Sequence, residues 1–190
     1  MDPEATHARY NLALALQHQN RLREAIAEYE TLRKIAPDYN LDYNYGVALD
    51  DDGQEERAKE AYWKAIAREP DNAAAYYNLG LMTAKEGSLI HALALFRKAI
   101  ELAPKDASVT YNMGVAYEQM GETNRAVTQY LRALSQNANY TNAHYNTANL
   151  YFKQGRFADA ASHYEAVLRL DPSDKQAEVN CRVARSRQEP

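Results

Sequence analysis

The chain has 190 residues, 46% of them hydrophobic, with a formal charge of −4 and a mean hydropathy of −0.67. That is enough apolar material for a core but describes soluble protein, and the acidic balance argues against nucleic acid, whose phosphates need clustered Lys and Arg. One cysteine, Cys181, excludes an internal disulfide and a cysteine-based zinc site.

The opening Met1-Asp2-Pro3-Glu4 carries no basic region, and Leu12 to Leu16 is too short and interrupted for a signal-peptide core. The default expectation is a cytoplasmic protein. The first repeat starts almost at once, which leaves room for the chain to be a piece of something longer.

From about residue 6 the sequence repeats itself. The first unit, 6–38, has Tyr10-Asn11-Leu12-Ala13, a break at Asn20, then Ala25, Tyr29 and a closing Pro37. The second, 39–72, gives Tyr43-Asn44-Tyr45-Gly46, Gly53, Ala58, Tyr62 and Pro70. The third, 73–106, gives Tyr77-Asn78-Leu79-Gly80, Gly87, Ala92, Phe96 and Pro104; its spacing predicts helices from Ala73 to about Glu86 and from Leu89 to Leu102. The fourth, 107–140, gives Tyr111-Asn112-Met113-Gly114, Gly121, Ala126 and Tyr130, with Ala138 standing in for the proline. The fifth, 141–174, gives Tyr145-Asn146-Thr147-Ala148, Gly155, Ala160, Tyr164 and Pro172. The small residues at 13, 46, 80, 114 and 148 step by 33, 34, 34 and 34.

Each unit therefore reads as two amphipathic helices around a Gly or Asn break, the residues that tolerate the left-handed backbone at a helix end. Pro70-Asp71-Asn72 and Pro172-Ser173-Asp174 are cap-and-turn signals. Gly80 and Ala92 are expected to face each other where two helices touch. A lone hairpin cannot bury its apolar face, so the units must stack. Residues 175–190 read as a last helix, to about Arg187, and a tail. Arg182 falls 34 after Ala148, in the small-residue slot, so nothing docks there and the array ends; Lys175, Arg182, Arg185 and Arg187 give the helix a wet outer face.

These rows resemble the tetratricopeptide repeat (TPR), a 34-residue helix-turn-helix, over about Thr6 to Asp174. The usual opening aromatic slot departs from the pattern, holding Arg9, Asp42, Tyr76, Thr110 and His144. The resemblance implies an all-α, right-handed solenoid of antiparallel helix pairs, with first helices lining a concave groove. It implies a non-enzymatic scaffold or adaptor that binds a partner protein or peptide, with no cofactor, no metal, no nucleic acid and no membrane insertion.

Family geometry puts the Tyr-Asn dipeptides on the groove wall: Asn11, Asn44, Asn78, Asn112 and Asn146 as a ladder, flanked by Tyr43, Tyr77, Tyr111 and Tyr145. Three residues beyond each Asn come Leu14, Val47, Leu81, Val115 and Asn149, and one turn further Lys85 and Lys153. An amide both donates and accepts, so the ladder suits the backbone of an extended peptide of any sequence; it is similar to the asparagine array of O-GlcNAc transferase. The competing reading is that the amides merely tie neighbouring first helices together. A carboxylate clamp of the heat-shock co-chaperone type is disfavoured, because tyrosine fills the slot before each Asn and the groove charges Asp50, Asp51 and Glu118 nearly cancel Lys85 and Lys153. His7, His18, His91, His144 and His163 are expected to be scattered surface or rim residues with no metal site. Asp50-Asp51-Asp52 with Glu55 and Glu56 reads as a solvated loop face, and Cys181 as a small buried hydrophobe. No phosphate loop or catalytic constellation survives the repeat explanation. The alternative function is a structural module that self-associates through its ends or docks through its convex side.

Overall fold

The computed structural model describes residues 3–188. Among them lie eleven α-helices and no strand: α1 (Pro3–His18), α2 (Leu22–Ile35), α3 (Asp42–Asp51), α4 (Glu55–Arg68), α5 (Ala73–Lys85), α6 (Leu89–Leu102), α7 (Ala107–Gln119), α8 (Thr123–Gln136), α9 (Thr141–Lys153), α10 (Phe157–Leu170) and α11 (Lys175–Ser186). The two helices expected between Ala73 and Leu102 are found within a residue of their expected ends. α1 begins earlier than expected, at Pro3. Proline suits the first turn, where the missing N–H has no helical partner.

The chain divides into two compact units, Met1–Glu86 and Gly87–Pro190. In the first, each helix from α1 to α5 packs on the next; in the second the same holds from α6 to α11. The breaks inside the hairpins obey the left-handed rule. Asn20 has φ 59°, and Gly53, Gly87, Gly121 and Gly155 have φ between 74° and 82°. At Gly53 the turn closes with the Gln54 N–H donating to the Leu49 carbonyl at 2.8 Å, which satisfies one of the orphan carbonyls that end α3. The following first helices start on side-chain caps where the sequence signals them. Asn72 accepts from the Ala75 N–H, Asp106 from Ser108 and Val109, and Asp174 from Ala177, each cap worth about 1 kcal/mol. α9, which lacks the proline signal, starts at Tyr140 with no side-chain cap.

First and second helices are buried differently. α4 buries Ala58, Ala61, Tyr62, Ala65 and Ile66, a single stripe at helical spacing. α3 buries Asp42, Tyr45, Gly46 and Leu49 at the same spacing and adds Ala48 to one side, a wider arc that packs on both α2 and α4.

Within the hairpins the close partner of the small residue is the aromatic ring of the second helix. A Cβ on Gly46 would lie 2.8 Å from the Tyr62 ring and 3.4 Å from the Ala61 Cβ; one on Gly114 would lie 2.6 Å from the Tyr130 ring. In these two hairpins glycine packs on tyrosine. Tyr62 and Tyr130 are wholly buried, and removing the Cβ opposite lets each flat ring lie against backbone.

α11 covers α10 with Ala177, Cys181 and Ala184. Arg182 stays exposed and pairs with Glu178 at 2.9 Å, as its slot requires. Cys181 is buried with its thiol pushed up by desolvation, so it packs rather than reacts.

Candidate peptide-binding face

The Tyr-Asn dipeptides lie on α1, α3, α5, α7 and α9. Asn11 is exposed, whereas Asn44, Asn78, Asn112 and Asn146 are half-buried, and their amide nitrogens are already engaged. Asn44 Nδ2 donates to the Tyr10 hydroxyl, the tyrosine one period earlier. Asn78 Nδ2 donates to the Tyr62 hydroxyl at 3.2 Å. In the second unit Asn146 Nδ2 donates to Tyr111 at 3.0 Å and Tyr130 at 3.3 Å, Asn180 Nδ2 to Tyr145 at 3.2 Å, and Asn112 Nδ2 to the Ser108 carbonyl at 3.0 Å. The donor ends of Asn44, Asn78 and Asn146 knit neighbouring helices, whereas that of Asn112 bonds within its own helix. For Asn44, Asn78 and Asn146 the carbonyl oxygen takes no hydrogen bond from the described residues.

The buried second-helix tyrosines reach this face with their hydroxyls. Tyr130 Oη donates to Glu118 Oε2 at 2.8 Å, Tyr164 Oη to Asn149 Oδ1 at 2.6 Å, and Tyr29 Oη to Gln17 Oε1 at 3.2 Å. Burial raises all of these phenols above their ordinary range, Tyr164 to about 12, so they act as neutral donors and acceptors. Tyr43, Tyr77, Tyr111 and Tyr145 are half-buried beside them; the Tyr111 ring stacks on Tyr140 at 5.0 Å.

The aliphatic positions stay available. Leu81 is exposed, and Val47 and Val115 are half-exposed. The lysines on this face are paired: Lys85 with Glu55, and Lys153 with Glu118 at 3.8 Å. Asp50, with Asp51 and Glu55 beside it, is held above the usual carboxylate range, chiefly by burial. At the end of the second unit Asn149, Phe152, Lys153, Tyr164, Val183 and Arg187 line a cavity of about 450 Å³. The Arg187 guanidinium lies 5.8 Å from the Phe152 ring.

One pair was missed by reading each repeat separately. His144 on α9 and His163 on α10, expected at the surface, are half-buried with their Nδ1 atoms 2.9 Å apart. His144 Nε2 lies 3.1 Å from the Ala138 carbonyl and must donate to it, so His144 Nδ1 accepts and His163 Nδ1–H donates. Burial, and then His144, lower His163 to about 4. The signal was an offset of 19: Arg9 and Glu28, at the equivalent positions in the first hairpin, form an ion pair. His7, His18 and His91 are exposed as expected. Among the described residues no group of three or more His, Cys, Asp or Glu could hold a metal ion, and no helix is long and apolar enough to cross a membrane.

Stacked antiparallel helix pairs with left-handed mid-hairpin breaks define an α-helical repeat protein. The chain belongs to the tetratricopeptide repeat family: one Tetratricopeptide repeat profile matches residues 1–40 and 111–175, another 43–72, and a TPR repeat profile 83–121. The family consists generally of protein-interaction scaffolds without catalytic activity. The fold is similar to PilF of Pseudomonas aeruginosa (TM-score 0.83, 20% identity, 98% of this chain and 86% of that one). It is also similar to MamA from Desulfovibrio magneticus RS-1 (0.78, 20%, 90% and 97%). A third likeness is to YrrB, described as a TPR protein with an unusual peptide-binding site (0.73, 22%, 90% and 89%). No curated protein sequence matches the chain.

Proposed function

We propose that this is a non-enzymatic adaptor whose first-helix faces hold extended segments of a partner protein. The observation that carries the reading is the half-spent amide. Asn44, Asn78 and Asn146 have their N–H₂ groups fixed by tyrosine hydroxyls and their carbonyl oxygens left over. A fixed acceptor beside half-exposed apolar side chains suits a peptide backbone, which brings an N–H at every non-proline residue. Asn11, Asn112, Tyr43, Tyr77, Tyr111, Tyr145, Leu81, Val115 and Lys85 complete the proposed contact set. The repeat division 6–38, 39–72, 73–106, 107–140 and 141–174, with 175–190 as cap, is part of the same reading.

The test is selection of a phage-displayed random peptide library on the chain, then titration of the selected peptide. Asn44→Ala with Asn78→Ala removes two backbone contacts and weakens binding roughly 5- to 150-fold, at about 0.5–1.5 kcal/mol each. Tyr10→Phe is the control: it cuts the Asn44 hydrogen bond from the other side but keeps the carbonyl oxygen, so it loses stability while losing less affinity than Asn44→Ala. Affinity unchanged by the Asn variants moves the contact elsewhere. The second reading, self-association through the ends, is favoured by Leu12 at 49%, Val179 at 48% and Val183 at 38% exposed. Concentration-dependent sedimentation reports on it directly.

A further inference from the structure

In the first unit the turn between α2 and α3 closes a cavity of about 400 Å³, away from the Asn rungs, lined by Arg33, Pro37, Tyr39, Asp42, Lys64 and Arg68. Its organising group is Asp42, only 3% exposed. Arg68 Nε lies 3.0 Å from one of its oxygens and Arg33 Nε 3.8 Å from the other. Arg68 also donates a terminal nitrogen to the Pro37 carbonyl, and the Arg33 guanidinium lies 5.2 Å from the Tyr45 ring centroid. Arg68 is thus held by an ion pair and a hydrogen bond, and Arg33 by a longer ion pair and its ring contact. The terminal nitrogens of Arg33 make no hydrogen bond to the described residues. Lys64 pairs only with Glu60, whose side chain is 68% exposed.

Three cations line this cavity around the buried Asp42, and with Glu60 beside Lys64 counted the cluster keeps a net positive charge in a net-acidic chain. We propose that it is a binding site for a dianionic oxyanion of the phosphate-monoester class. Such a group offers three terminal acceptor oxygens to the three cationic side chains, where a single carboxylate offers two. Guanidinium forks pair with phosphate oxygens through two parallel N–H bonds, and the ion pairs to Asp42 lower the ordering cost of capture. Asp42 lies within ion-pair distance of both arginines and holds them beside the cavity.

The probe is phenyl phosphate, titrated at constant ionic strength and followed by ¹H–¹⁵N NMR, including the arginine Nε–H signals. Expected is a saturable shift confined to Arg33, Arg68 and the Lys64 neighbourhood, with benzoate at least fivefold weaker. Lys64→Gln and Arg33→Gln each weaken it at least fivefold while their melting curves stay close to the parent. A tyrosine-phosphorylated peptide that binds more tightly than phenyl phosphate identifies the source as a modified partner; equal affinity identifies a small phosphorylated compound. A linear, unsaturable response, shifts spread over all basic residues, or unchanged affinity in both variants overturns the site and leaves Asp42 as helix-to-helix glue.

Discussion

Asp42 in the first unit and His144 in the second stand at the same place in the repeat, three periods of 34 apart. Each lies in the first turn of a first helix, in the slot where the family usually keeps an aromatic residue. Asp42 gathers arginines from α2 and α4; His144 meets one histidine of α10 and a turn carbonyl. The surrounding charge differs in the same sense: up to residue 86 the chain has 10 Lys and Arg against 16 Asp and Glu, and beyond it 12 against 10. The scaffold rows are shared by both units, and this slot is where they acquire separate chemistry. Helix packing specifies only that something must fill the slot; the neighbouring second helices decide what that residue pairs with.

The largest effect is expected where the two units agree. Gly114→Ala drives a Cβ into the buried Tyr130 ring and lowers stability by about 1–3 kcal/mol, with Gly46→Ala, whose gap to Tyr62 is slightly wider, at the lower end of that range. Equal melting curves for parent and Gly114→Ala would show that the ring moves aside at no cost. Next comes the difference itself. Asp42→Asn leaves two partly exposed guanidinium groups without their buried anion and costs about 1–2 kcal/mol by urea unfolding, less than a fully buried pair because both arginines reach water. A smaller loss, about 0.5–1 kcal/mol, follows Tyr111→Phe, which removes one of the two acceptors of Asn146 Nδ2 and leaves the Tyr130 hydroxyl in place.

The smallest effect is a slope. His163, lowered to about 4, stays neutral in the folded chain while an unfolded histidine, near 6.5, takes up a proton. The unfolded state thus binds more protons between about pH 6.5 and 4, so this contribution is full above that window and is lost as pH falls through it. His163→Gln should flatten the dependence of the melting temperature on pH across this window. Asp42→Asn should leave the His163 part of that slope in place, which separates the two slots.

Much of the fold was legible because its signals are local. The breaks at Gly53 and Gly155, the caps at Asn72 and Asp174, and the stripe on α4 all rest on residues a few positions apart. The rungs were legible as positions but not as bonds. Asn44 to Tyr10 spans 34 residues and Asn146 to Tyr111 spans 35, so the partner of an amide depends on how one helix is set against the next. The His144–His163 contact was hidden for a related reason: two histidines 19 apart look scattered until the hairpin folds them together. The glycine-on-tyrosine packing depended on ring orientation, which a row of small residues does not encode.

On the proposed function, the amides at Asn44, Asn78 and Asn146 also carry a selection rule. Where the tyrosine hydroxyl already donates elsewhere, as Tyr130 does to Glu118, the amide must keep its nitrogen turned to it, so such oxygens are one-sided sockets. A segment seated against them needs a backbone N–H at each contact, and proline has none. Proline or an N-methylated residue is tolerated only between contacts, so walking one proline along a bound peptide would map which residues meet the sockets and at what interval.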